Sequence, residues 1–146
     1  MIIYTDMVAD LYHYGHMIWL ENIYLKFIKG TDNKLFVGVH NDDIVVTYKS
    51  KPIMTMEERI KTLSYNTYIN KIIPNAPLYI TEDYINEYKL DIICIPNNRT
   101  EEEIKLMCEI PYKLNMIHKL DYTHTISTTK IINRIKNRII NKNDLE

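Results

Sequence analysis

The chain has 146 residues, 46% apolar and 25% charged, with a formal net charge of −1. That length suits one domain with its own core, residues 1–146. The balance of charge leaves no global field for nucleic acid or an acidic membrane, and no run reaches the ~18 apolar residues of a membrane span. The start, MIIYTDMVAD, carries acids and no basic stretch, so it does not read as a secretory signal. Cys94 and Cys108 fit no metal or redox spacing and read as reduced, buried thiols of a cytoplasmic protein. Asn98-Arg99-Thr100 is a formal glycosylation sequon without meaning in that compartment.

In chain order, IIYT (2–5) reads as a short buried strand. HYGH (13–16) follows, and MIWLENIYLKFIKG (17–30) then reads as a helix. Ile18, Ile23, Leu25 and Phe27 mark its core side and Gly30 its stop. KLFVGVH (34–40) is almost continuously apolar, as a central parallel strand covered on both faces should be. NDD (41–43) reads as a loop. TMEERIKTLSYN (55–66) opens with Thr55 and Glu58, the spacing of a capping box. YINKII (68–73) is a strand closed by PNAP, and Thr81 opens the helix TEDYINEY. DIICIP (91–96) is a buried strand. Thr100 and three glutamates open a helix to about Glu109. KLNMIHKL (113–120) is the last strand, and ISTTKIINRIKNRII (126–140) is the closing helix. Ile131, Ile135 and Ile139, with Ile132 beside them, form its apolar seam; Lys130, Arg134, Lys136, Arg138 and Lys142 give it a solvated basic face.

Five strands alternate with helices, which predicts an α/β fold: a Rossmann-like three-layer sandwich around a mainly parallel five-stranded sheet. Ligands of such sheets collect at the carboxyl ends of the strands, near the switch in strand order. HYGH and the loops after residues 40 and 120 fall at that edge.

Three stretches there suit an anion. In HYGH, His13 and His16 fall on one face of a helix start, and Gly15 lets backbone approach a ligand. A helix N-terminus adds free N–H groups and a positive dipole end, which suits a polyphosphate better than a metal. A zinc site would need more ligands, and only His40, Asp42 and Asp43 offer themselves. In YKSKP (48–52), Lys49 and Lys51 read as loop lysines, either solvated or facing phosphate. In ISTT (126–129), Ser127 or Thr128 caps the last helix, and the same hydroxyls can hold a phosphate.

In this order, the three stretches resemble the cytidylyltransferases of phospholipid and teichoic acid precursor synthesis. DMVADLYHYGH (6–16) is similar to their D-G-x-F-D-x-x-H-x-G-H opening, and ISTTKI (126–131) to their I-S-T-S/T signature. VGVHNDDIVVTYKSKPIMTMEER (37–59) and NAPLYIT (75–81) resemble the choline-phosphate and ethanolamine-phosphate branch. The resemblance implies that His13 and His16 stabilise the transition state at the α-phosphorus, with Gly15, Ser127 and Thr128 completing the CTP site. It implies that Lys49 bridges the phosphates of both substrates, that Asp6 faces an ammonium head group, and that Arg59 is structural. It further implies CTP and a small phosphomonoester as ligands, Mg²⁺ with the CTP, no protein-held metal and no membrane switch. A homodimer is expected through the first motif and residues 67–72.

The chain also departs from the pattern. Met7 replaces a glycine, Ala9 a phenylalanine, Tyr122 a phosphate-gripping arginine and Thr125 a glycine. Ile95, Pro96 and Asn97 replace an H-D-D segment, and Leu78 replaces the aromatic of A-P-W. Tyr79, Tyr112 and Tyr122 are the available aromatic substitutes around a choline group. The expected activity is CMP transfer from CTP to phosphocholine or phosphoethanolamine. The alternatives are glycerol 3-phosphate as acceptor, another nucleotide as donor, or a catalytically decayed nucleotide-binding protein on this fold.

Overall fold

The computed structural model describes residues 1–141. Five strands, β1 (Ile2–Met7), β2 (Lys34–Val39), β3 (Lys71–Pro74), β4 (Ile92–Pro96) and β5 (Ile117–Leu120), form one sheet in the order β3-β2-β1-β4-β5. Every pairing is parallel. The order reverses at β1, so the crevice beyond the ends of β1 and β4 is the place where a ligand is expected.

Side-chain alternation along the strands explains the layers. Ile3, Leu35, Val37, Val39 and Cys94 face one core with Trp19, Leu20 and Ile23 of α1 (Tyr14–Ile23) and Leu63 of α3 (Met56–Leu63). Tyr4, Ile73, Ile93 and Ile95 face the other core with Ile85 of α4 (Glu82–Tyr88) and Ile104 of α5 (Glu101–Met107). Covered on both faces, the strands need the near-continuous apolar runs seen in the sequence.

The helices start where short side chains satisfy free backbone N–H groups. Thr55 with Glu58, and Thr100 with Glu103, each form a reciprocal capping box. Thr81 caps α4 alone. NDD is not a loop: the Asn41 side chain accepts from Ile44 N at 2.9 Å and starts the short helix α2 (Asp42–Val45).

Other boundaries shift for local reasons. The helix from Thr100 ends at Met107, and α6 (Glu109–Lys113) continues after Cys108, whose backbone leaves the helical region. Residues 113–116 therefore precede β5 instead of belonging to it, with Asn115 left-handed at φ 53°. The third strand begins at Lys71, not at residue 68. Leu25 is 52% exposed, because a residue two positions after buried Ile23 lies on the opposite side of a helix. A π-helical turn, Tyr24–Ile28, closes the segment and buries Ile28.

The last helix, α7 (Thr128–Ile140), contributes no buried residue. Ile131 and Ile132 are half-buried, but Ile135 and Ile139 are 49% and 60% exposed, so the seam is not a core face among the described residues. Lys142 of the expected basic face lies outside the described residues.

Candidate active site

HYGH builds the first turn of α1. His13 is the N-cap: its Nδ1 accepts from Gly15 N at 3.1 Å. His16, three positions on, returns the bond, its Nδ1 accepting from His13 N at 3.2 Å. The pair is a capping box made of imidazoles, with ring centroids 4.0 Å apart. Because each Nδ1 accepts, each neutral ring carries its proton on Nε2 and keeps one donor for a ligand. Burial, then the charges of His13 and Lys49, lower the His16 pKa to about 4; burial lowers that of His13 as well. At neutral pH both rings are uncharged donors. Gly15 is required by this geometry, since a Cβ there would lie 2.9 Å from His13 Nδ1 and 3.0 Å from Ile126 Cγ2.

Tertiary bonds bring the distant stretches to this turn. Trp19 Nε1 donates to Thr5 Oγ1 at 3.1 Å, which fixes α1 against β1. Thr128 Oγ1 donates to Asp10 O at 2.8 Å and Tyr14 OH lies 2.9 Å from Thr125 Oγ1, which joins the N-terminus of α7 to the HYGH loop. Asp10, 6% exposed, accepts from Ile53 N and Met54 N, both at 2.9 Å, and so holds the chain that follows Lys49. Ser127 caps α7 by accepting from Lys130 N. That leaves its hydroxyl proton and the N–H groups of Thr128 and Thr129 ahead of the first helical bond, Ile131 N to Ser127 O.

The result is a cleft of about 690 Å³ lined by His13, Gly15, His16, Lys49, Ser127 and Thr128 together. A second cavity of about 120 Å³ lies at the ends of β1, β2 and β4, lined by Asp6, His40, Tyr48, Lys49, Leu78 and Arg99. Lys49 lines both. The residue is exposed as a whole, but its charged head is desolvated; that, then the Arg99 charge, holds its pKa below the usual lysine value against the pull of Asp6.

Asp6 already has a neighbour, His40, whose Nε2 lies 3.6 Å from Asp6 Oδ1 while its Nδ1 donates to Ala76 O at 3.1 Å. Burial opposes a charge on His40, but Asp6 and the Ala76 carbonyl together raise its pKa above the ordinary value. Arg59, fully buried, donates from Nη1 to Val8 O and His40 O at 2.7 and 2.9 Å and from Nη2 to Asp42 Oδ1 at 2.8 Å. It clamps the chain leaving β1 to the chain leaving β2. With His40 and Asp42 so engaged, no group of three or more His, Cys, Asp or Glu suited to a metal forms among the described residues.

Several residues escaped the sequence reading. Asp10 had a signal, as the second aspartate of the D-x-x-x-D-x-x-H pattern. Lys136, exposed on the basic face of α7, also lines the large cleft with Asn133. Arg99 stood out only as the middle of a sequon. Of the three substitute aromatics, none lines the small cavity; Tyr48 does, and Tyr122 lines the large cleft. Met7 needs no glycine conformation: it is extended in β1 opposite Val39, and the left-handed strain falls on Ala9 and Leu11 (φ 58° and 47°).

A parallel sheet with a histidine-capped helix after its first strand and a hydroxyl-capped helix after its last defines a Rossmann-like protein with its cleft at the strand ends. The cytidylyltransferase-like family model matches residues 5–134, and the chain belongs to that family. Choline-phosphate cytidylyltransferase 2 of Arabidopsis thaliana is 29% identical over 136 residues, 91% of this chain and 44% of that protein. The choline-phosphate cytidylyltransferase of Saccharomyces cerevisiae is 36% identical over 91 residues, 62% of this chain and 21% of that one. The ethanolamine-phosphate cytidylyltransferase of Mus musculus is 29% identical over 145 residues, 94% of this chain and 35% of that one. The chain thus spans less than half the length of these relatives. A lipopolysaccharide core biosynthesis protein from Thermoplasma volcanium superposes with a TM-score of 0.66 at 22% identity, over 84% of this chain and 98% of that one; this likeness concerns the fold alone.

Proposed function

We propose that the protein transfers CMP from CTP to a phosphorylated amino-alcohol and releases pyrophosphate. The observation that carries this reading is the pair of cavities meeting at Lys49. The large cleft has the donors a nucleoside triphosphate needs: two neutral imidazoles, the Ser127 hydroxyl and the α7 N-terminus. The small cavity has a carboxylate, Asp6, for an ammonium group.

In the reaction, an acceptor phosphate oxygen attacks the α-phosphorus in line. The new P–O bond forms as the bond to the β-phosphate breaks, and the pyrophosphate carries the electron pair away. No protein nucleophile is required; the side chains position two anions and neutralise spreading charge. Lys49 holds the two phosphates together. His13 and His16 donate from Nε2 to oxygens of the triphosphate, and Ser127 with the N–H groups of Thr128 and Thr129 holds its far end. The chemistry that Mg²⁺ bound with the CTP would supply is neutralisation of part of the triphosphate's negative charge. Asp10 would not be a Mg²⁺ ligand, since both its carboxylate oxygens accept from backbone N–H groups.

Two observations bear on the acceptor. Asp6 favours an amino-alcohol over the uncharged glycerol end of glycerol 3-phosphate. With Tyr48 the one Phe, Tyr or Trp lining the small cavity among the described residues, a primary ammonium fits better than a quaternary one, which prefers several aromatic faces. A second reading, a nucleotide-binding protein without turnover, draws support from Tyr122, which stands in the cleft wall where an arginine is expected.

A pyrophosphate-release assay with CTP, Mg²⁺ and each of phosphoethanolamine, phosphocholine and glycerol 3-phosphate decides between these. We expect turnover, fastest with phosphoethanolamine. His16→Ala and Lys49→Ala should each lose at least about two orders of magnitude in kcat/KM while remaining folded. No turnover with any acceptor, with CTP still bound, would favour the second reading.

A further inference from the structure

We infer that Arg99 is a phosphate-binding residue of the acceptor site, gripping the phosphomonoester together with Lys49. The inference rests on the proposed function and adds a residue outside the HYGH, YKSKP and ISTT stretches.

Arg99 sits in the bend between β4 and α5 and lines the small cavity with Asp6, His40, Tyr48 and Lys49. Its Nη1 donates to Met107 Sδ at 2.8 Å, and thioether sulfur is a weak acceptor. It makes no ion pair among the described residues. Of the three glutamates of α5, Glu103 accepts from Thr100 N at 2.7 Å, Glu101 accepts from Tyr112 OH at 2.6 Å, and exposed Glu102 makes no ion pair with Arg99. A half-buried guanidinium is thus left with most of its donors unused beside a cavity.

The charges around that cavity call for an anion. Two basic side chains, Lys49 and Arg99, line the cavity with one carboxylate, Asp6, and His40 already neighbours that carboxylate. The two cations are close enough that Arg99 depresses the Lys49 pKa. A phosphomonoester dianion relieves the repulsion, and a guanidinium fork matches two of its oxygens. The amino end of the acceptor then reaches Asp6. A guanidinium is missing from the cleft wall at Tyr122, and Arg99 returns one on the acceptor side of Lys49.

Isothermal titration of wild type, Arg99→Ala and Arg99→Lys with CTP, and separately with phosphoethanolamine, tests this. Arg99→Ala should weaken phosphoethanolamine binding by about ten- to a hundredfold with CTP binding unchanged. Arg99→Lys should recover part of the loss; it also serves as the informative variant if Arg99→Ala does not fold, since it keeps charge and stem while losing the fork. Unchanged phosphoethanolamine affinity, or an equal loss for CTP, overturns the assignment. Wild type that binds CTP but no phosphoethanolamine overturns it too, and leaves the nucleotide half of the proposed function standing. Wild type that binds neither ligand overturns both.

Discussion

His16 serves two ends with one ring. Its Nδ1 closes the capping box at the start of α1, and its Nε2–H remains for a ligand. Both depend on a neutral imidazole with an unprotonated Nδ1. The folded pKa is about 4 against 6.5 unfolded, so between those values the unfolded chain binds the proton and the folded one does not. Stability from this group is present above pH 6.5 and is lost as pH falls toward 4. His16→Gln keeps a capping acceptor without a titrating ring. We expect thermal melts from pH 7 to 4 to show wild type losing stability relative to His16→Gln through that window; a flat difference would refute the ring's depressed pKa. The spacing of HYGH was legible as a helix start, but the reciprocal cap was not. Histidine is not among the residues that normally signal one, and only the placed backbone shows where each Nδ1 goes.

Elements of this fold are joined at the functional edge by single side chains, and Arg59 of α3 is the strongest case. Thr55 and Glu58 made the helix legible, and its register carries Arg59 inward to the carbonyls of Val8 and His40. Nothing local distinguishes that arginine from a surface one; its burial follows from the parallel pairing of β1 and β2. Arg59→Leu removes the donors for two carbonyls and the partner of Asp42, so a loss of about 3 kcal/mol is expected, read as a lower urea midpoint. A loss under about 0.5 kcal/mol would mean that water replaces the clamp. For α7, the same periodicity that marked Ile135 and Ile139 as a seam says nothing of what covers it. Amphipathic spacing gives a face, and packing alone decides whether the chain fills it.

At the scale of the whole molecule, the large cleft draws on residues more than a hundred positions apart, from His13 to Lys136. A ligand there binds only the folded chain and ties its two ends together. CTP at about a hundred times its Kd should add about 2.7 kcal/mol of stability and raise the melting temperature by roughly 5–10 °C. The shift should exceed that from ATP at equal concentration; the reverse order would refute a cytidine preference. The sequence by itself determined the alternation of strands and helices, the helix starts at Thr55, Thr81, Thr100 and Ser127, and the order of the three anion-suited stretches, because those depend on neighbours within a few residues. Tertiary structure alone decided that Lys49 stands between two cavities, that His40 sits beside Asp6, and that Arg99 joins them. These placements are set by parallel strand order and loop closure, which bring side chains together across the sheet edge without leaving a local pattern in the chain.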